Sequence, residues 1–114
     1  MEIVQERVTL QRLAAMAEAM FGILVKAVVD VERGIMAIDA ELHADEEAML
    51  LSAGSRQDDL WGINLYPAAF GSADFIEFDS MINVRPRQGN RSRSVEDLAI
   101  QARIGSIVER LVRA

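Results

Sequence analysis

Leu24-Val25-Lys26-Ala27-Val28-Val29-Asp30-Val31-Glu32-Arg33-Gly34-Ile35-Met36-Ala37-Ile38-Asp39-Ala40-Glu41-Leu42-His43 is the stretch that decides the fold. A two-residue turn at Arg33-Gly34, which glycine favours in the second position, doubles the chain back as a β-hairpin. Val31 then faces Met36, Val29 faces Ile38, Ala27 faces Ala40 and Val25 faces Leu42, so every pair on this side is apolar. The other side pairs Asp30 with Ala37, Val28 with Asp39, Lys26 with Glu41 and Leu24 with His43. A slip of one residue would mix the two sets, because successive side chains alternate sides.

The flanking sequence supplies cover for that apolar face. Thr9 is placed as an N-cap, followed by a helical stripe of Leu10, Leu13, Ala14, Ala17, Met20 and Phe21, with Gly22 positioned to end it. A short strand over residues 3–8 precedes it. Residues 44–53 fit two readings: good helix formers run from Ala44 to Leu51, yet alternation would also extend the hairpin strand. Residues 52–59 read as a loop, and 60–66 as a strand that stops before Pro67. A loop at 68–73 leads to an alternating segment with Ile76, Phe78, Ile82 and Val84 on one face, limited by Pro86. Ser94 with Asp97 resembles a capping box, and Ile100, Ile104, Ile107, Val108 and Leu111 form the stripe of a last helix. The expectation is an α+β fold: an antiparallel sheet of about five strands with two amphipathic helices packed on one face, a two-layer sandwich.

Composition bounds the function. At 114 residues with 51% hydrophobic content, the chain suits one domain spanning residues 1–114. It has no cysteine, so neither a disulfide framework nor thiolate chemistry is expected, and a cytoplasmic setting is the default. The net charge of −6 argues against a nucleic-acid binder or a membrane-surface binder. The apolar run at residues 19–25 is far below the roughly 20 residues that span a bilayer.

That charge is polarised. Residues 30–59 hold nine acids against Arg33 and Arg56, whereas residues 85–93 hold four Arg and no acid. In the acidic part, Asp39, Glu41, His43, Asp45 and Glu47 would share one side of an extended strand at period two. Oxygen ligands with one imidazole suit Mg²⁺, Mn²⁺ or Ca²⁺. In a helical reading, Asp39 and His43 still lie one turn apart, as do His43 and Glu47. The plain alternative is the wet face of a half-buried sheet.

In the basic part, Arg85, Arg87, Asn90, Arg91, Arg93 and Ser94 lead directly into the last helix. Gly89 and Asn90 permit turns with exposed N–H groups, and the helix adds the positive end of its dipole. These are ingredients of a phosphate or carboxylate site. A third segment holds the only Trp and the only Tyr, Trp61 and Tyr66, and Trp61 reads first as a core or interface anchor. Phosphate-loop, dinucleotide, zinc-protease, EF-hand and nucleophile-elbow spacings are all absent.

The strings KAVVDVERGIMAI, ELHADEE, DLWGINLYP, FDSMINVRP and QGNRSR resemble a family of small uncharacterised prokaryotic proteins classed as a domain of unknown function. The resemblance runs from the first helix to the last. It implies a stand-alone unit of this length and no catalytic residues. From the two charged segments, the expectation for function is a ligand-binding module with a small anionic ligand on the Arg-rich loop and the start of the last helix, together with a divalent-cation site on the 39–47 segment. A homo-oligomer pairing the basic loop with the acidic face is the alternative. Ranked third is a metal-assisted phosphoester hydrolase with His43 or Glu41 as base.

Overall fold

The hairpin forms, with a wider turn than expected. In the structure, a computed structural model describing residues 1–114, strands β3 (Val25–Asp30) and β4 (Ile35–Ile38) pair with Val29 opposite Met36 and Ala27 opposite Ile38. The turn is Val31–Gly34, and the register differs from the expected one by two residues. Its cause is Asp30. One carboxylate oxygen accepts from the N–H groups of Glu32 and Arg33, each at 2.9 Å, and the other accepts from the Ser55 hydroxyl at 2.6 Å. Gly34, at φ 69°, donates its N–H to the Asp30 carbonyl. A shift of two residues returns every side chain to the same face, so the expected segregation survives.

The hairpin does not continue through Leu42. Asp39 adopts φ 71°, a left-handed conformation that ends β4, and its carboxylate lies 3.8 Å from the N-terminal ammonium. Strand β1 (Glu2–Val4) takes the outer edge of β4. A single strand over residues 3–8 is thus replaced by two pieces, β1 and β2 (Val8–Thr9). Helix α1 (Leu10–Ala19) follows, with Thr9 accepting from the N–H of Arg12 as its cap. Residues 43–52 resolve as helix α2 (His43–Ser52). Strand β5 (Leu60–Leu65) pairs with the free edge of β3, and β6 (Ile76–Glu77) pairs with β5. The order β1-β4-β3-β5-β6 is antiparallel throughout. Helix α3 (Leu98–Leu111) leads into β7 (Val112–Arg113), which pairs in parallel with β2.

The α+β architecture expected from the sequence is present, with three helices. Leu13 and Ala17 of α1 and Ile104, Ile107, Val108 and Leu111 of α3 join Val25, Ala27, Val29, Met36, Ile38, Trp61, Ile63 and Leu65 on one face. Leu50 of α2 covers Val28, Ile35, Ala37 and Leu60 on the other. Each fully buried Leu or Ile contributes about 1.5–3 kcal/mol by its removal from water.

The long strand expected at residues 76–84 is replaced by something more specific. Ile76 and Phe78 pack against the first core, but Ile82 packs against the second. The chain crosses between faces through a 3₁₀ turn at Met81–Asn83, capped by the Ser80 hydroxyl. Beside β5, where a strand would bond, the Asn83 side chain does so instead. Its amide oxygen accepts from the Gly62 N–H at 2.8 Å, and its amide nitrogen donates to the Gly62 carbonyl at 2.9 Å. Gly62 must be glycine here, since a Cβ would lie 2.5 Å from the Ser80 Cβ.

Candidate functional site

The basic segment folds into a knot that its own chain largely satisfies. Arg85 and Asn90 exchange backbone N–H···O=C bonds around a 3₁₀ turn at Pro86–Gln88. The Arg85 side chain is buried. It donates to the carbonyls of Ile82, Gln57 and Leu60 and to the Gln88 side chain, and its guanidinium sits 4.5 Å over the Trp61 ring. Burial pulls the pKa of this guanidinium down, partly countered by the Glu47 charge. Asn90 is also buried, donating to the carbonyls of Asn83, Ser92 and Ser94 while accepting from the Glu96 N–H. These two residues hold the loop together and do not face solvent.

The expected anion cradle already contains a carboxylate. Glu96 accepts from the backbone N–H groups of Arg91 at 3.0 Å and Ser92 at 2.8 Å. Hydrogen bonding from Ser92, its side chain first and then its backbone, holds the Glu96 pKa below the usual carboxylate range, and the Arg91 N–H adds to this. Helix α3 starts later than expected. Asp97 is its N-cap, accepting from the Ala99 N–H, while Ser94 lies outside the helix. Arg87 pairs with Asp58 at 3.4 Å and Arg93 with Asp79 at 2.7 Å, both at the surface; Arg91 is exposed and makes no ion pair. The six residues therefore do not converge on one ligand.

Nor do the five residues of the acidic set. Asp39 ends β4 beside the N-terminus, Glu41 and Asp45 are exposed, His43 turns inward at the start of α2, and Glu47 is half-buried one turn on, with one carboxylate oxygen unpartnered. No group of three or more His, Asp or Glu side chains comes together to hold a metal ion. The physical reason is the positive φ at Asp39, which breaks the period-two geometry. In the helix it is His43, Glu46 and Leu50 that face the sheet. Glu46 is fully buried. One of its oxygens accepts from the Ala40 N–H at 3.1 Å, the other has no partner, and burial pushes its pKa up to about 9.

What the fold does assemble combines one residue from each candidate set with two others. A cleft of about 180 Å³ is lined by Lys26 of β3, Leu42, His43 and Ala44 at the start of α2, Ser80, Met81 and Ile82 of the crossover, and Arg93. The N-terminus of α2 has no side-chain cap, because Leu42 occupies the cap position. The Leu42 carbonyl takes the Asp45 N–H at 3.1 Å, and the N–H groups ahead of it, without a side-chain acceptor, carry the positive end of the helix dipole. His43 places Nε2 2.7 Å from the Ile63 carbonyl. A carbonyl only accepts, so this nitrogen carries the proton, and Nδ1 holds the lone pair in the neutral ring. Desolvation lowers the His43 pKa, with the Ile63 carbonyl acting in the opposite sense and Lys26 adding to the lowering.

Arg93 is held by Asp79 through Nε alone, and Lys26 lies 4.9 Å over the Phe21 ring. From Asp79 a polar chain leads away from the cleft lining: Asn64 donates to the Asp79 carbonyl and to the Glu77 carboxylate, and the Tyr66 hydroxyl donates to the same Glu77 oxygen. Lys26 and Ser80 were missed by site reasoning from sequence. The available signal for Lys26 was its status as the only lysine, on the polar side of the hairpin.

A family model covers residues 2–111, nearly the whole chain. The chain belongs to that family, described as Protein of unknown function (DUF5674). The resemblance drawn from the hairpin and loop strings is thereby borne out at the level of a domain of unknown function. No curated protein and no solved structure matches the chain. No helix is long and apolar enough to cross a membrane.

Proposed function

We propose that the protein is a binding module for a small anion, phosphate or carboxylate in class, held in the cleft between Lys26, His43, Ser80 and Arg93. The observation that carries this reading is the convergence of two cations from separate elements on an uncapped helix N-terminus. Backbone N–H groups and the dipole there favour negative charge, and Lys26 and Arg93 add to the same field. His43 contributes an N–H-anchored neutral ring rather than a third full charge at neutral pH. Asp45, the exposed acid in the first turn of α2, lines a different cleft beside Met1 and Met49.

The size of the cleft sets the ligand class. About 180 Å³ takes a phosphate or a small carboxylate, whereas whole drug-sized ligands use about 300–1,000 Å³. A nucleotide would leave its base outside. The oligomer reading draws on the same charges, but Arg87 and Arg93 already have carboxylates within their own chain. A thermal-shift series with inorganic phosphate against chloride at matched ionic strength tests the proposal. Binding to the folded state raises the melting temperature with phosphate concentration, and Lys26→Ala removes that rise. Equal melting in phosphate and chloride overturns it.

A further inference from the structure

A second cleft, separate from the anion site, has the opposite character. It measures about 510 Å³ and is lined mainly by apolar groups, among them Ile23, Ala69 and Ile76, together with Tyr66, Asp74 and Glu77. Short 3₁₀ turns at Pro67–Ala69 and Ala73–Phe75 build its wall, buttressed by the edge-on contact of Phe70 and Phe75 at 5.2 Å. Ile23 is one of the most exposed large hydrophobic residues of the chain, at 69%.

The two acids distinguish this cleft from an ordinary apolar notch. Glu77 is fixed by two donors, the Asn64 amide and the Tyr66 hydroxyl, each 2.8 Å away. Both bonds fall on the same carboxylate oxygen. The second oxygen makes no hydrogen bond, and neither Glu77 nor Asp74 has a Lys or Arg partner. The cleft thus offers a positioned carboxylate with one oxygen free, a second acid in its lining, an aromatic ring and an apolar floor.

We infer that this cleft binds a small organic cation, an amine with an apolar body, with the ammonium on Glu77 and Asp74 and the body against Ile23, Ile76 and the Tyr66 ring. The chemistry of recognition follows from the parts. An ammonium has three donors for the free carboxylate oxygens and gains further from a tyrosine ring, while the hydrocarbon is removed from water. A carboxylate ligand of the same shape would meet two like charges.

The test uses 2-phenylethylamine and 3-phenylpropionate, a cation and an anion of matched body, with the methyl NMR signals of Ile23 and Ile76 as readout. Saturable shifts with the amine and none with the acid are expected. Glu77→Gln, which keeps an acceptor for Asn64 and Tyr66, weakens amine binding about tenfold, a change of about 1.4 kcal/mol. Ile23→Lys, at an exposed loop position, places a tethered ammonium over the cleft and abolishes the amine-induced shift of the Ile76 methyls, the probe that this variant keeps. Equal binding of both probes, no shift with either, or an affinity unchanged in Glu77→Gln would overturn the inference. The two clefts share no lining residue, so this result is independent of the anion proposal.

Discussion

Replacing Glu46 by Gln should stabilise the protein at neutral pH. The carboxyl is fully buried under α2, with one oxygen on the Ala40 N–H and the other unpartnered. Desolvation raises its pKa from 4.5 to about 9; the Ala40 bond, Lys26 and the N-terminus pull the other way, and Asp39 reinforces the rise. In the folded state the group is therefore neutral at pH 7, whereas in the unfolded chain it is ionised. Folding must take up a proton. Between about pH 4.5 and about pH 9 the native state binds more protons, so this group makes stability fall as pH rises. The slope is about 1.4 kcal/mol per pH unit for one proton. At pH 7 the cost relative to acid conditions is then roughly 3 kcal/mol, the order of a third of a small domain's net stability. Gln keeps the acceptor for Ala40, carries no charge in either state and abolishes the slope. Denaturant unfolding at pH 5, 7 and 8.5 at constant ionic strength measures it. The variant should match the native protein near pH 5 and exceed it increasingly above pH 7. An unchanged slope in Glu46→Gln, or a loss of stability that grows with pH, would refute the argument.

Other expectations follow from the same structure. Asn83→Ala leaves the N–H and carbonyl of Gly62 unpaired inside the protein and should cost about 2–4 kcal/mol, read as a lower urea midpoint at unchanged slope. Gly62→Ala drives a Cβ into Ser80 and should cost about 1–3 kcal/mol; the double change with Ser80→Gly should recover part of it, and no recovery would count against the contact. His43 is held neutral by burial, so its native pKa lies below 6.5 and the native state binds fewer protons as the pH drops through that value. Stability should decline on that acid side, less steeply in His43→Gln. Phosphate should raise the native His43 pKa, followed by its imidazole NMR signals.

The hairpin was legible because its chemistry repeats at period two, and for the same reason its register was not. A shift of two residues leaves every face intact, and only the Asp30 side chain, which organises the turn, decides between them. Thr9 and the α3 stripe were readable from local capping and helical spacing. The crossover at residues 78–84 was not, because Asn83 substitutes a side-chain amide for strand backbone, a choice that apolar alternation cannot express. The Arg-rich loop misled for a related reason. Counting charge in residues 85–93 found no acid, but Glu96 lies just beyond and folds back onto the loop N–H groups. His43 and Arg93 were each visible as candidates, in separate sets fifty residues apart. Only the packing of α2 and the crossover on the same sheet face brings them to one cleft with Lys26.

Titration with inorganic phosphate, followed by backbone amide NMR in the native protein, Arg93→Ala and Arg87→Ala, tests the central claim most directly. The anion cleft predicts saturable shifts at Ala44, Lys26 and Ser80 that Arg93→Ala weakens and Arg87→Ala leaves intact. Shifts centred instead on residues 87–92, or lost equally in both variants, would contradict it.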